Sequence, residues 1–402
     1  MVAAPESIKN SSPMGFHALT LAVFFGASAA PTPLYRIYQE SFAVSPILIT
    51  VIFAVYAFAL LGALLIAGSI SDHLGRRPVI FGALILEIIA MALFSIASGP
   101  EWLIAARIVQ GIATGIAGAS LGAALVDIDR ARGQIVNSIA PLSGMAIGAI
   151  GTSALIQYGP EPLHLVYALL LAAFAVQAVA LWLTRETGGT RPGVFGSLKP
   201  AISIPQPVKR PLSLVTPINI ANWTLGGFYL SLVPSLVAST TGSHAPLTGG
   251  AVVAALMLSG AVSVFLRRSR SPKANLAFGV SAQTLGILTV VAGVHLANVP
   301  LLLIGTLLTG AGFGTNFLGS IGTIMPLAKP EERAGLLSAF YIQSYLAFSL
   351  PAILAGFLVR SIGYGATTDI YATAIVLISL AGLMAVRNTR APCVHSDAQR
   401  TL

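Results

Sequence analysis

Charge is scarce in this chain. Only 9% of its 402 residues are Asp, Glu, Lys or Arg, whereas soluble domains carry about 25%. A single water-soluble core is thereby excluded. Acids are scarcer than bases, 13 against 22. Cysteine is nearly absent. Cys393 stands alone in the polar tail, which rules out an intramolecular disulfide and a cysteine metal site. The six His are scattered. There is no metal-ligand cluster, no phosphate-binding loop and no nucleophile–base pair, so the expectation is neither an enzyme nor a protein with a cofactor. The formal charge of +9 would suit a nucleic-acid partner, but the basic residues form no continuous patch. They sit between hydrophobic runs, which excludes that reading.

Those runs dominate the sequence. Hydrophobic residues make up 55%, and 40 Gly and 24 Pro accompany them, as in packed and kinked membrane helices. The expected fold is an all-α polytopic membrane protein with twelve transmembrane helices. The spans fall near 16–35, 46–67, 79–97, 101–126, 135–157, 163–183, 214–238, 247–266, 274–296, 299–327, 334–359 and 367–386. The first ends in Ala30-Pro31-Thr32-Pro33-Leu34-Tyr35, and it reads as a retained span, because Lys9 and the apolar run after it offer no clean cleavage site. Ser45 and Pro46 mark the start of the second as N-cap and first helical residue. Residues 1–15 form a polar N-terminal segment, 184–213 a linker rich in Pro, Gly and basic residues, and 387–402 a polar tail.

Twelve spans bring both termini to one side. With that alternation, all but Arg36, Arg107 and Arg360 of the 22 basic residues fall on the termini's side, which the positive-inside rule makes cytoplasmic. The two halves repeat. Shifted by 199 residues, Gly111 and Gly115 fall on Gly310 and Gly314, and Tyr158-Gly159 echoes Ile362-Gly363. Two six-helix bundles, 16–183 and 214–386, are therefore expected, with the solute near the bilayer midplane between them.

The most informative stretch is Gly68-Ser69-Ile70-Ser71-Asp72-His73-Leu74-Gly75-Arg76-Arg77-Pro78. It is a tight polar turn between two apolar runs, because unpaired backbone cannot face lipid. It resembles the loop between helices 2 and 3 of the major facilitator superfamily of transporters, matching at Gly68, Asp72, Gly75, Arg76 and Arg77. A second match lies in span 4. Leu103, Arg107, Gln110 and Gly111 resemble the superfamily's motif with a membrane-embedded Arg, which proton-coupled members link to proton transfer or substrate. A third, in span 5, is weaker. Gly144 and Gly148 fit the antiporter motif's glycine spacing, but Met145 and Ala149 replace its Pro and last Gly. The closest likeness is to the bacterial drug and sugar efflux branch. It implies alternating access, with Asp72, Arg76 and the span 4–5 loop closing the cytoplasmic side through contacts among spans 2, 4 and 11. In the second half, Arg267-Arg268-Ser269-Arg270-Ser271-Pro272-Lys273 keeps the charge and loses the Gly and Asp.

Charged groups at membrane depth are costly and mark function or snorkelling. Arg107, Gln110 and Thr114 share a helical stripe beside a small-residue stripe of Gly111 and Gly115. Arg107 either serves transport or pairs Glu101 at the interface. Glu87 is the one carboxyl well inside a span. It either carries a proton or hydrogen-bonds locally. Gly144 and Gly148 suit close packing. Cavity candidates are Thr32 and Tyr35 in span 1, Asn219, Asn222 and Trp223 in span 7, Phe313 and Asn316 in span 10, and Tyr341 and Tyr345 in span 11. The superfamily resemblance implies that spans 1, 4, 7 and 10 line the cavity. This amide and aromatic lining suits a neutral or amphipathic organic solute, or an anion met by Arg107.

The expected function is proton-coupled efflux of a small organic solute through the plasma (inner) membrane. Protons, the solute and the lipid bilayer are its partners, and a monomer is the usual state in the superfamily. Uptake or facilitated diffusion of a sugar or organic acid is the alternative on the same fold. A non-transporting membrane sensor or assembly protein is the alternative of another class.

Overall fold

The structure is a computed structural model, and it describes residues 11–242 and 245–388. Lys9, Arg390, Cys393 and Arg400 lie outside them. The regular elements among the described residues are all helical. They are α1 (Ser11–Ala29), α2 (Pro31–Ser41), α3 (Pro46–Ala67), α4 (Ser71–Leu74), α5 (Arg76–Ser95), α6 (Pro100–Ile128), α7 (Arg130–Tyr158) and α8 (Pro162–Ala180). A short α9 (Val194–Ser197) lies in the linker. Then follow α10 (Gln206–Thr241), α11 (Pro246–Arg267), α12 (Pro272–His295), α13 (Val299–Ile324) and α14 (Arg333–Asn388). Among the described residues, eleven stretches are long and apolar enough to cross a membrane.

Local chemistry sets the ends. The Ser45 hydroxyl accepts from Leu48 N at 3.3 Å and Pro46 opens α3, the N-terminal signature expected from the sequence. Asp129 accepts from Ala131 N and Arg132 N, each at 3.0 Å, and starts α7. Gly75 turns the chain at φ +91° between α4 and α5, a region that L side chains rarely enter.

Two expected boundaries change. The first span does not end at Tyr35. Pro31 occupies the first turn of α2, where its missing N–H costs little, and helix continues to Ser41. The linker is shorter than 184–213, because α10 already begins at Gln206 behind Pro205, with Pro211, Pro217 and Pro234 inside it. Spans 11 and 12 run together as the 56-residue α14. A straight helix of that length would reach about 84 Å, far beyond the ~30 Å hydrocarbon layer. Gly363, at φ +81° and ψ 173°, breaks it.

The packing follows from small residues. A Cβ at Gly111 would lie 2.4 Å from Tyr56 O, and one at Gly115 2.7 Å from Leu60 O. α6 therefore presses on the α3 backbone. A Cβ at Gly144 would lie 2.0 Å from Ala22 O, and one at Gly148 2.1 Å from Gly26 O, so α7 lies equally close to α1. Such contacts replace the hydrophobic effect as the main cohesion between helices in lipid. α12 and α13, and likewise α10 and α14, pack together later in the chain. Early and late helices meet at the end opposite the Arg76 turn. Thr32 Oγ1 donates to Leu230 O at 2.9 Å, Gly356 abuts Thr50 and Pro46, and Gly250 abuts Ser153.

Candidate functional site

The structure draws four helices around Arg107. Its side chain is 1% exposed. Nη1 donates to Ser28 O at 3.0 Å and to Gln110 Oε1 at 2.8 Å, and Nη2 donates to the Tyr35 hydroxyl. The rings of Tyr56, Tyr35 and Phe94 lie 5.1, 5.6 and 6.0 Å from the guanidinium, within cation–π range. Gln110 carries the chain onward, since Nε2 donates to Glu87 Oε1 at 3.1 Å and to Ala27 O at 3.1 Å. Thr114 Oγ1 donates to Gln110 O at 2.8 Å. Glu87 is fully buried, and its Oε2 has no hydrogen-bond partner among the described residues. Arg107 thus turns inward to α1 and α2 and away from the pairing with Glu101 that the sequence left open. Chemically the set is one cation and one carboxyl in a dry place, joined by an amide.

A second cluster lies on α10, α13 and α14. The Trp223 ring centre is 5.0 Å from Tyr345, 5.7 Å from Phe348 and 6.5 Å from Phe317. Tyr341 stands 6.1 Å from Tyr345. Phe348 reaches Phe53 of α3 at 4.9 Å, so this cluster meets the early helices. Asn222 Nδ2 donates to Phe313 O at 3.2 Å, and Asn219 Nδ2 to Ser344 Oγ at 2.9 Å. Asn316 does not join its stripe-mates. It is fully buried and donates to Gln283 Oε1 of α12. Residues 316 and 313 sit three apart on one helix, but α12 packs closely enough to claim the amide.

The Arg76 turn forms a third set. Arg76 Nη1 donates to Asp72 Oδ1 at 2.5 Å and to Ser71 Oγ at 2.7 Å, and Nε to Asp127 Oδ2 at 3.0 Å. Glu186, from the segment after α8, caps α5. Its carboxylate accepts from Arg76 N at 2.8 Å and Arg77 N at 3.0 Å. Burial works against its charge, but backbone N–H groups of Gly188, Arg77, Arg76 and Thr187 hold its carboxyl below the usual range. Arg77 Nη2 donates to Trp182 O at 2.8 Å and lies over that indole at 5.1 Å. Arg191 N donates to His73 O at 3.0 Å, and Ser69 Oγ to Ser197 O at 3.0 Å. Gly68 closes α3 by donating to Leu64 O.

Comparison with known proteins gives these clusters a setting. The sequence profile of the Major Facilitator Superfamily matches residues 18–288, more than half of the chain. The chain belongs to the Major Facilitator Superfamily. Among curated relatives it is similar to the multidrug resistance protein MdtL of Escherichia coli K12, 28% identical over 145 residues. That match spans 35% of this chain and 37% of MdtL, about a third of each. Two solved structures share the fold. One is a bacterial homologue of the human lysosomal transporter Spinster in an inward-facing and occupied conformation. It has a TM-score of 0.72 at 14% identity, over 97% of this chain and 100% of that one. The other is the nucleoside transporter NupG, with a TM-score of 0.72 at 12% identity, over 93% and 99%. At these identities they speak for the fold alone.

As a superfamily member the protein is a multi-pass membrane protein. Residues that sequence reasoning missed are Ser28 as a backbone acceptor for Arg107, Gln283 as the partner of Asn316, and Glu186 as the cap of α5. Glu186 had a signal. It is an acid just past the sixth apolar run, in a segment otherwise basic.

Proposed function

We propose that the protein exports a small amphipathic organic solute in exchange for protons by alternating access. The observation that carries this is the buried Arg107–Gln110–Glu87 chain. A proton on Glu87 Oε2, the oxygen without a partner, raises the net charge of the buried set by one. Such a step costs little where water reaches Arg107 and more where it does not. Protonation therefore biases the balance between two conformations, as coupling requires. The likeness to MdtL supports the efflux direction.

The same reading takes α1 with α2 as one span and divides α14 at Gly363, which makes twelve. The bundles are α1–α8 and α10–α14, the basic end and both termini face the cytoplasm, and the monomer sits in the inner membrane. The contacts Thr32–Leu230, Gly356–Thr50 and Gly250–Ser153 then close the outer side, and the conformation is inward-facing. Asp72, Arg76 and Asp127 are the gate. In this conformation their bonds stay within the first bundle and the linker, and the span 11 contact belongs to the outward-facing state.

The test is proton flux in inverted membrane vesicles challenged with lipophilic drugs, sugars and aromatic acids. Substrate-triggered proton release, lost in Arg107→Ala, is the expected result. Labelled substrate equilibrating with no proton signal would replace antiport by facilitated diffusion.

A further inference from the structure

The charged and aromatic clusters differ in what they leave open. Arg107 and Glu87 are at most 1% exposed and the rings around them, Tyr35, Tyr56 and Phe94, at most 5%. The two terminal nitrogens of Arg107 are committed to Ser28, Gln110 and Tyr35, and its Nε and Glu87 Oε2 are enclosed without a partner among the described residues. An anion would have to break those bonds. Across α10–α14 the acids among the described residues are Glu331, Glu332 and Asp369. Glu331 and Glu332 precede α14, and Asp369 is engaged by His295 at 2.9 Å. A cation would find no counter-charge beside Trp223.

Trp223, Phe313, Phe317 and Tyr341 are half-buried, although they lie within long apolar helices. Among the described residues, their polar neighbours are incompletely paired. Trp223 Nε1–H has no acceptor. Next to it, Asn222 is 1% exposed and spends Nδ2 on Phe313 O, leaving Oδ1 without a donor. Asn219 Oδ1 is unpaired as well. Buried unpaired groups cost about 1–3 kcal/mol each. Pure packing would be served by Phe and Leu at these places. Trp223 Nε1 and Asn222 Oδ1 are both enclosed here; the accessible part is the half-open ring face of Trp223, Phe313, Phe317 and Tyr341, with the unpaired donor and acceptor behind it.

We infer that the second half alone holds the solute, and that the solute is an uncharged, planar aromatic molecule bearing an acceptor for Trp223 Nε1 and a donor for Asn222 Oδ1. The first half is left to the proton. This rests on the reading of the protein as a transporter of small organic solutes, and it corrects the anion option by which Arg107 would meet the solute.

Equilibrium dialysis of labelled 2-naphthamide, 2-naphthoate and trimethyl(2-naphthyl)ammonium against purified protein in detergent tests it. The three share one ring system and differ in charge. The amide is expected to bind at least tenfold tighter than either ion. Trp223→Leu should lose at least tenfold, and Trp223→Phe, which keeps the ring and removes the donor, three- to tenfold. Size-exclusion profiles check that both variants fold. An ion that binds as tightly as the amide, a Trp223→Phe protein that binds like wild type, or no amide binding by the wild type would overturn the inference. Dialysis needs no gradient, so vesicles without a proton signal would remove the coupling and leave this site standing.

Discussion

Arg107 and Glu87 share no direct bond. The amide of Gln110 stands between them, accepting from the guanidinium at 2.8 Å and donating to the carboxyl at 3.1 Å. A cation and an acid held apart in this way communicate through that amide and through their Coulomb attraction across it. Glu87→Gln removes the titrating group and keeps the shape. It should abolish substrate-driven proton release and leave labelled-substrate exchange within about threefold of wild type. Gln110→Leu should lower both at least tenfold, because it strands two buried polar partners. Paired flux measurements in vesicles check both. Proton release persisting in Glu87→Gln would move the coupling elsewhere.

The Arg76 turn yields a prediction about rate. Asp72→Ala removes one of the two carboxylates that hold the Arg76 side chain. Transport should fall at least fivefold with normal membrane insertion, read by flux against the amount of protein in isolated membranes. Normal flux at normal expression would remove the gating role.

Glu186 gives a pH dependence with a definite sign. Its carboxyl titrates below the ordinary range in the folded protein. The cap is therefore at full strength above the ordinary carboxylate pKa, about 4.3, and is lost as pH falls through the depressed value. Hydrogen exchange in the segment 70–80 should be slow and pH-corrected rates flat at neutral pH, rising only in strong acid. Glu186→Gln should show the fast rates at pH 7, at a cost of about 1 kcal/mol, the usual scale of a lost helix cap.

Close packing of α7 on α1 makes the glycines there intolerant. A Cβ at Gly144 would stand 2.0 Å from backbone at Ala22, which no side-chain rotation relieves. Gly144→Ala should cost about 2–3 kcal/mol, in the range for overpacking, and lower the melting temperature of the purified protein. Gly151→Ala, at a position with nothing within 4 Å, is the control and should melt like wild type.

The contact between α14 and α3 can be locked. A Cβ at Gly356 comes within 2.3 Å of the Thr50 hydroxyl, so Thr50→Cys with Gly356→Cys, in a Cys393→Ser background, should form a disulfide under mild oxidation. Transport should then stop and recover on reduction. Cross-linking without loss of transport would mean that these helices do not separate in the cycle.

Much of this was legible in the chain. Ser45 and Pro46, the Arg76 turn, the stripe of Arg107, Gln110 and Thr114, and the packing glycines were all readable from helical period and composition. Lipid makes such signals strong, because every unpaired backbone group and every charge must have a reason. The ends of α2 and α10 were misread, since proline in sequence looks like a stop and in a first turn is a start.

What the sequence by itself determined is where the apolar helices lie and which few charged groups they carry. Those follow from transfer energies that each residue bears regardless of its neighbours. What only the tertiary structure decided is partnership. Helical period says that Asn316 and Phe313 share a face, but not that α12 comes near enough for Gln283 to take the amide. It places Arg107 and Glu87 at depth, but not Gln110 between them. It shows an acid at Glu186, but not the α5 terminus that it caps. Partnership depends on which helix packs beside which, and that is settled by contacts between residues far apart in the chain.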